Sequence, residues 1–224
     1  MKGLLLRVGI DKGVGGCLGP IFSDGSFEYI PIPERCATSE RRTYRHLIGR
    51  SGRPLSDFVP MRFHNSIPHI DPEFETFTYG DPTRNKRRQL AQLSRDDLLI
   101  FYAGLEPREE TGEPRLYIIG YFTVQHVYDF GKIPNSERAS IFSSLPNNAH
   151  SKRTYFDDGL VIIKGDPNNS KLLSHAVLLG DANDNILDSL EFIFGFSVSL
   201  RRAIGHWIKE PYIQKVRSWL NECR

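Results

Sequence analysis

Long apolar runs are missing from this 224-residue chain. None approaches the ~20 residues that span a bilayer, and Met1 to Leu6 carries too few apolar residues ahead of Arg7 to read as a secretion signal. Cysteine is scarce as well. Cys17, Cys36 and Cys223 are odd in number, far apart and without a C-x-x-C pair, which argues against a disulfide framework, a zinc knuckle or a dithiol redox site. A reducing, cytoplasmic setting with no membrane partner is the expectation from both absences. No G-x-S-x-G is present and Cys17 has no assignable histidine partner, so nucleophilic catalysis is not indicated. Repeats and regular β-α alternation are also absent, which excludes solenoids and doubly wound folds.

Glycine, by contrast, is concentrated early, in Arg7-Val8-Gly9-Ile10-Asp11-Lys12-Gly13-Val14-Gly15-Gly16. A nucleotide-binding loop needs the Lys-Ser/Thr ending of a P-loop or glycines that open a helix, and neither is here. The following residues, Leu18 to Phe22 and Phe27 to Pro33 around Asp24-Gly25, read instead as two strands joined by an Asp-Gly turn. Glycines at that place either turn the chain or let a ligand approach bare backbone.

Net charge is only +2, so the electrostatic information lies in distribution. Arg35, Arg41, Arg42, Arg45, Arg50 and Arg53 face a single acid, Glu40, over one short stretch. Arg84-Asn85-Lys86-Arg87-Arg88 is a second cluster, and Arg201-Arg202 with Lys209, Lys215 and Arg217 a third. One such run is an ordinary solvated face; three, with arginine favoured, point to a phosphate-bearing partner.

Residues 34–72 are polar, proline-containing and aperiodic, and read as a long irregular excursion from the core. A basic helix is expected from Arg84 to Leu93, capped by Asp81 or Thr83. Asp97 to Leu105 reads as a buried strand, and Arg115 to Phe130 as a long strand or a bent pair, joined through Glu106 to Pro114. A short helix capped by Asn135 or Ser136 follows, then a strand over Leu160 to Asp166 and a helical turn at Ser170 to Leu173. Two terminal helices are expected, Ser199 to Ile208 and Pro211 to Cys223, the second with Ile213, Val216, Trp219 and Leu220 on one face. The pattern is α+β, one domain over residues 1–224, with a strand-rich middle.

The basic helix, the strand Leu98-Leu99-Ile100-Phe101-Tyr102 and the partner Ile118-Ile119-Gly120-Tyr121-Phe122-Thr123-Val124 resemble the central segment of PUA-like domains of the EVE and YTH type. Asp96 stands where that pattern has glycine, and Ala103-Gly104 where a polar pair follows the tyrosine. The resemblance implies a curved mixed sheet or PUA-like barrel core over about residues 84–166, flanked by helices. Almost the whole chain is similar to a family of bacteria, archaea and phages, the nucleotide-modification-associated domain of the third type. The matching stretches are Leu4 to Asp11, Gly15 to Phe22, Phe27 to Glu34, Asp71 to Pro82, Asp97 to Leu105 and Ser199 to Trp207. That likeness implies a DNA- or nucleotide-modification pathway, or a modification-dependent defence system, and not a particular reaction.

Two functions therefore stand side by side. A base reader needs aromatic faces, which Phe74, Phe77, Tyr79 and Tyr102 can supply, and edge contacts, from Asp11, Asp71, Asn65 and the Gly15-Gly16 backbone. Arg7 and Lys12 would hold a phosphate or carboxylate, although Arg7 and Asp11 can equally pair with each other. Arg41, Arg42, Arg84, Lys86, Arg87 and Arg88 would contact nucleic acid. An enzyme would draw its acid and base from Asp11, Asp71 and His64. His69-Ile70-Asp71 has the His-x-Asp spacing of a facial metal triad. Such a site needs a distant second histidine, and nothing selects among His126, His150, His175 and His206, so no metal ligand is assigned and the cofactor is left open. The expected partners are nucleic acid or nucleotide, with DNA-modification enzymes as a further class.

Overall fold

The computed structural model describes residues 1–109 and 111–223. Its centre is the strand pair expected from the sequence: β6 (Leu98–Pro107) and β7 (Arg115–Asp129) run antiparallel along most of their length. The stretch joining them includes residue 110, which lies outside the described residues. β1 (Gly3–Arg7) lies parallel to β6, with Leu5 opposite Ile100, and β2 (Gly19–Ile21) continues parallel to the far end of β6. β8 (Val161–Gly165) pairs with the end of β7, β5 (Thr78–Asp81) pairs with β8, and β9 (Lys171–Leu178) pairs with the middle of β7. With β10 (His206–Ile208) on β1, the order is β10-β1-β6-β7-β8-β5. A separate two-stranded ribbon joins β3 (Ile32–Pro33) to β4 (Pro68–His69). The fold is α+β with a mixed sheet that, among the described residues, is open and not a closed barrel.

Alternation along β6 divides the interior into two cores. Leu99, Phe101 and Ala103 join Leu4, Leu6, Ile119 and Phe122 on one face; Leu98, Ile100 and Tyr102 join Leu5 and Ile118 on the other. The second face is covered by α3 (Asp188–Phe194) and α4 (Tyr212–Glu222), through Leu190, Phe194, Ile213, Val216 and Leu220. The register of β7 shifts between Ile118 and Gly120 and again between Val124 and His126, so one strand serves β6, β8 and β9. Asp96, where the PUA-like pattern has glycine, has φ 70° and so keeps the left-handed turn that a glycine would make.

Helices α1 (Arg84–Leu90) and α2 (Asn135–Ser144) fall near their expected places, but α1 ends before Leu93, and their N-cap positions, Thr83 and Pro134, make no side-chain capping bond. The expected pairing of Leu18 to Phe22 with Phe27 to Pro33 reduces to a single bridge between Ile21 and Phe27. Two further expectations fail. Ser199 to Ile208 is not a helix; its end is β10, because Leu4 and Leu5 at the sheet margin offer a backbone ladder to Trp207 and His206. Ser170 to Leu173 is not a helical turn either: Leu172 pairs with Gly120 in β9, tertiary pairing overriding a weak local signal. No helix among the described residues is long and apolar enough to cross a membrane. The three cysteines are free.

Candidate functional site

The excursion over residues 34–72 folds back so that the β3–β4 ribbon places Glu34 beside His69. The ribbon pairs Ile32 with His69, and the Glu34 N–H donates to the Ile67 carbonyl at 2.8 Å. Two residues on, both carboxylate oxygens of Asp71 accept the N–H of Gly80 in β5, at 3.0 and 3.1 Å. The Tyr29 hydroxyl donates to the Asp71 carbonyl at 2.8 Å. His150 arrives from a distant 3₁₀ turn, His150–Lys152. Buried Asn148 sets that turn, its side-chain oxygen accepting the His150 N–H at 3.0 Å and its amide donating to Thr78 Oγ1 at 3.1 Å. The turn is tied down further by Lys152 on Glu40 (2.8 Å) and by the Lys152 carbonyl, which accepts the Ser39 N–H at 2.8 Å.

These elements line a cavity of about 430 Å³, with Arg7, Gly9, Asp11 and Val14 from the end of β1, Arg35 after β3, and Tyr79, Asp81 and Lys86. Inside it His69, Asp71 and His150 bring ligand atoms within 4.8 Å of one another, and all three residues are buried. His69 Nδ1 lies 2.6 Å from Glu34 Oε2, and Arg153 donates to Glu34 at 3.0 Å. His69 Nε2 is 3.8 Å and His150 Nε2 3.4 Å from Asp71 Oδ2, while His150 Nε2 is also 3.1 Å from the Gly80 carbonyl. His150 Nδ1 is buried without a partner.

The charge states follow from burial. Loss of water drives the Asp71 carboxyl up to about 8, with Asp81 adding to the rise; His69, the Gly80 N–H and Lys86 pull the other way. Burial takes His150 down to about 4, assisted by the positive charge of Arg153. Asp71 and His150 are therefore not an ion pair at neutral pH despite their proximity. Burial also works to raise Glu34, but the contacts from His69 and Arg153 outweigh it and hold that carboxylate below its ordinary range. An ionised Glu34 only accepts, so His69 Nδ1 carries the proton of that contact and Nε2 faces Asp71.

Several residues expected at the site gather here: Asp71, Asp11, Arg7, Tyr79 and Lys86 all line the cavity. Asp11 stays at the mouth, where its carboxylate accepts the Val14 N–H at 2.8 Å. Arg7 and Asp11 do not pair among the described residues; Arg7 donates to the Arg201 carbonyl at 3.4 Å. His64 stands apart, its ring at 3.2 Å from the Val59 carbonyl, and Asn65 is exposed on the same loop. Lys12 reaches Glu106 at 3.7 Å. Gly15 and Gly16 are outside the cavity lining: a Cβ on Gly15 would lie 2.2 Å from Ile10 Cδ1, and Gly16, at φ +72°, sits under Arg62.

The aromatic faces are mostly spent on packing. Phe74 makes edge contacts with Phe101 and Phe122, Phe77 with Phe122, and Tyr102 points to the opposite face of the sheet with its hydroxyl near the Leu200 carbonyl. The basic residues also divide. Lys86 turns into the cavity and pairs with Asp81 at 3.3 Å, whereas Arg87 and Arg88 line a depression with Asp129 and Asp158. Arg84 and Arg41 are exposed, and Arg42 is held by Glu40 at 2.8 Å beside a second cavity of about 350 Å³ that also contains Phe74. Glu34, His69, His150 and Arg153 carry the site without having been assigned to it. The His-x-Asp spacing was the visible signal for His69; nothing local marks His150 or Glu34.

An open mixed sheet whose irregular excursion closes a histidine–carboxylate cavity defines an α+β protein with a built polar site. The chain belongs to the family described as nucleotide modification associated domain 3, matched over residues 2–219. No curated protein and no solved structure matches it. The family's description associates the chain with nucleotide modification.

Proposed function

We propose that the protein is an enzyme of nucleotide modification that takes a nucleotide, or a base of nucleic acid, into the His69–Asp71–His150 cavity. The observation that carries this reading is the convergence of those three buried side chains, from two distant segments, on a cavity rimmed by cations. Arg7 and Arg35 pair with no carboxylate among the described residues, and Lys86, which meets Asp81 at 3.3 Å, shares the lining with them. Guanidinium and ammonium groups so placed suit a phosphate at the mouth, with the base turned inward. A site that merely reads a base needs exposed ring faces, and Phe74, Phe77 and Tyr102 are engaged in the cores; only Tyr79 borders the cavity. Buried titratable groups around an open space are the more natural equipment of a reaction centre. Partners in this reading are nucleotides or nucleic acid, supplied within a modification pathway.

The test is calorimetric titration with nucleoside mono- and triphosphates and a short oligonucleotide, followed by mass analysis of the recovered bases in cell extract from a host carrying the pathway. Saturable binding that Arg7→Ala and Lys86→Ala each weaken about tenfold, the loss of one charge-assisted contact of ~1.5 kcal/mol, is expected. A changed base mass that disappears with His150→Gln supports the enzyme. Binding with no mass change would restore the reader, and no binding of any phosphate-bearing ligand would remove both.

A further inference from the structure

We infer that His69, Asp71 and His150 are the ligands of a divalent first-row transition-metal ion, held at the inner end of the cavity with coordination positions left open to it. The inference adds a cofactor to the cavity and does not depend on which organic ligand enters. Nitrogen and oxygen ligands bind such ions at about 2.0–2.2 Å, which sets two ligands of one ion roughly 3–3.5 Å apart. His150 Nε2 and Asp71 Oδ2 are 3.4 Å apart, His69 Nε2 and Asp71 Oδ2 3.8 Å. The second distance is too long for a hydrogen bond and close to that of two ligands sharing an ion.

The surroundings are those of a metal site. His69 donates from Nδ1 to Glu34, the carboxylate–histidine arrangement that fixes the tautomer and directs Nε2 at a metal. Glu34 is itself fixed by Arg153 and by the backbone N–H of Cys36 at 2.9 Å. His150 Nδ1 is buried without a partner, and Nε2 meets the Gly80 carbonyl at 3.1 Å, a contact that ion binding at Nε2 would replace. Arg153 is matched with Glu34 and Lys86 with Asp81, and neither forms an ion pair with Asp71. Two imidazoles and one carboxylate suit zinc with a bound water or iron(II) with open positions, and are a poor set for calcium or magnesium, which prefer oxygen.

Metal-stripped protein titrated with Zn²⁺, Co²⁺ and, without oxygen, Fe²⁺ should bind one equivalent and gain melting temperature as the ion is added. His69→Ala and His150→Ala should abolish that binding, Glu34→Gln should weaken it about 10–100-fold, and His64→Ala should leave it unchanged. X-ray absorption of the zinc-loaded wild type should show imidazole and carboxylate donors, which decides the matter even where a ligand variant fails to fold. Absence of stoichiometric binding, binding retained in folded His69→Ala and His150→Ala, or a shell of oxygen or sulfur alone would overturn the assignment. Nucleotide titrations run with chelator present keep this result separate from the nucleotide reading.

Discussion

Two regions compete for attention in the sequence, the glycine-rich opening loop and the His69–Asp71 stretch, and the structure treats them in opposite ways. The opening loop meets much of its need locally: the Asp11 carbonyl accepts the Gly15 N–H and the Asp11 carboxylate accepts the Val14 N–H, with Arg62 of the excursion donating to the Gly15 carbonyl. The His69–Asp71 stretch cannot do so. Its polar groups are buried and depend on Glu34, Gly80 and a turn far along the chain, and even then His150 keeps one nitrogen unmatched. A segment whose polar groups are met locally is folding; one whose polar groups wait on distant partners is where a ligand has something to complete.

The sharpest way to break this contrast is to remove a distant partner. Glu34→Ala leaves buried His69 and half-buried Arg153 without their carboxylate and should cost about 3 kcal/mol in urea unfolding. Asp11→Ala, which loses one exposed hydrogen bond, should cost about 0.5–1.5 kcal/mol. Equal losses would mean that the two regions are not energetically distinct.

Next in size is Gly15→Ala. The added methyl meets Ile10 within the core under the loop, so overpacking of about 1–3 kcal/mol is expected. Gly16→Ala should cost about 1 kcal/mol through its positive φ. Both variants should keep wild-type nucleotide affinity in the folded fraction; affinity lost at unchanged melting temperature would return Gly15 and Gly16 to the site.

The anchoring of the His150 turn can be read through pH. Hydrogen bonds from Arg42 and Lys152 outweigh the partial burial of Glu40 and lower its pKa, so its folded form holds a proton less readily than its unfolded form. That contribution is present above the ordinary carboxylate pKa of about 4.3 and fades as pH falls through the lower folded value. The stability gap between wild type and Glu40→Gln should therefore be widest near neutrality and close under acid. A gap independent of pH would assign Glu40 no electrostatic part in holding the turn. Smallest of all should be Lys12→Ala, whose exposed pair with Glu106 is long; a change within about 0.5 kcal/mol and unaltered ligand binding are expected by the same denaturation and titration.

Local pattern carries most of the architecture. The continuous apolar run of Leu98 to Ala103 and the length of Arg115 to Asp129 are visible as strands because each is buried on both faces of the sheet, and Ile213, Val216 and Leu220 mark α4 by helical spacing. Where the pattern misleads, at Ser199 to Ile208 and at Ser170 to Leu173, the deciding interaction is a ladder to a strand remote in sequence. Side chains alternate in direction along β6, which is why Tyr102, chosen for its ring, faces away from the cavity.

What the sequence by itself determined is therefore the family, the α+β class and the central strands, all of which rest on short-range spacing or on matching stretches. The placing of His150 beside His69 and Asp71, the distance of His64 from them, the contact of Glu34 with His69 and the division of the basic residues between cavity and outer surface belong to the tertiary structure alone. The physical reason is that burial and mutual distance decide whether an imidazole is a solvated side chain or part of a site, and both are set by contacts between segments that share no local pattern.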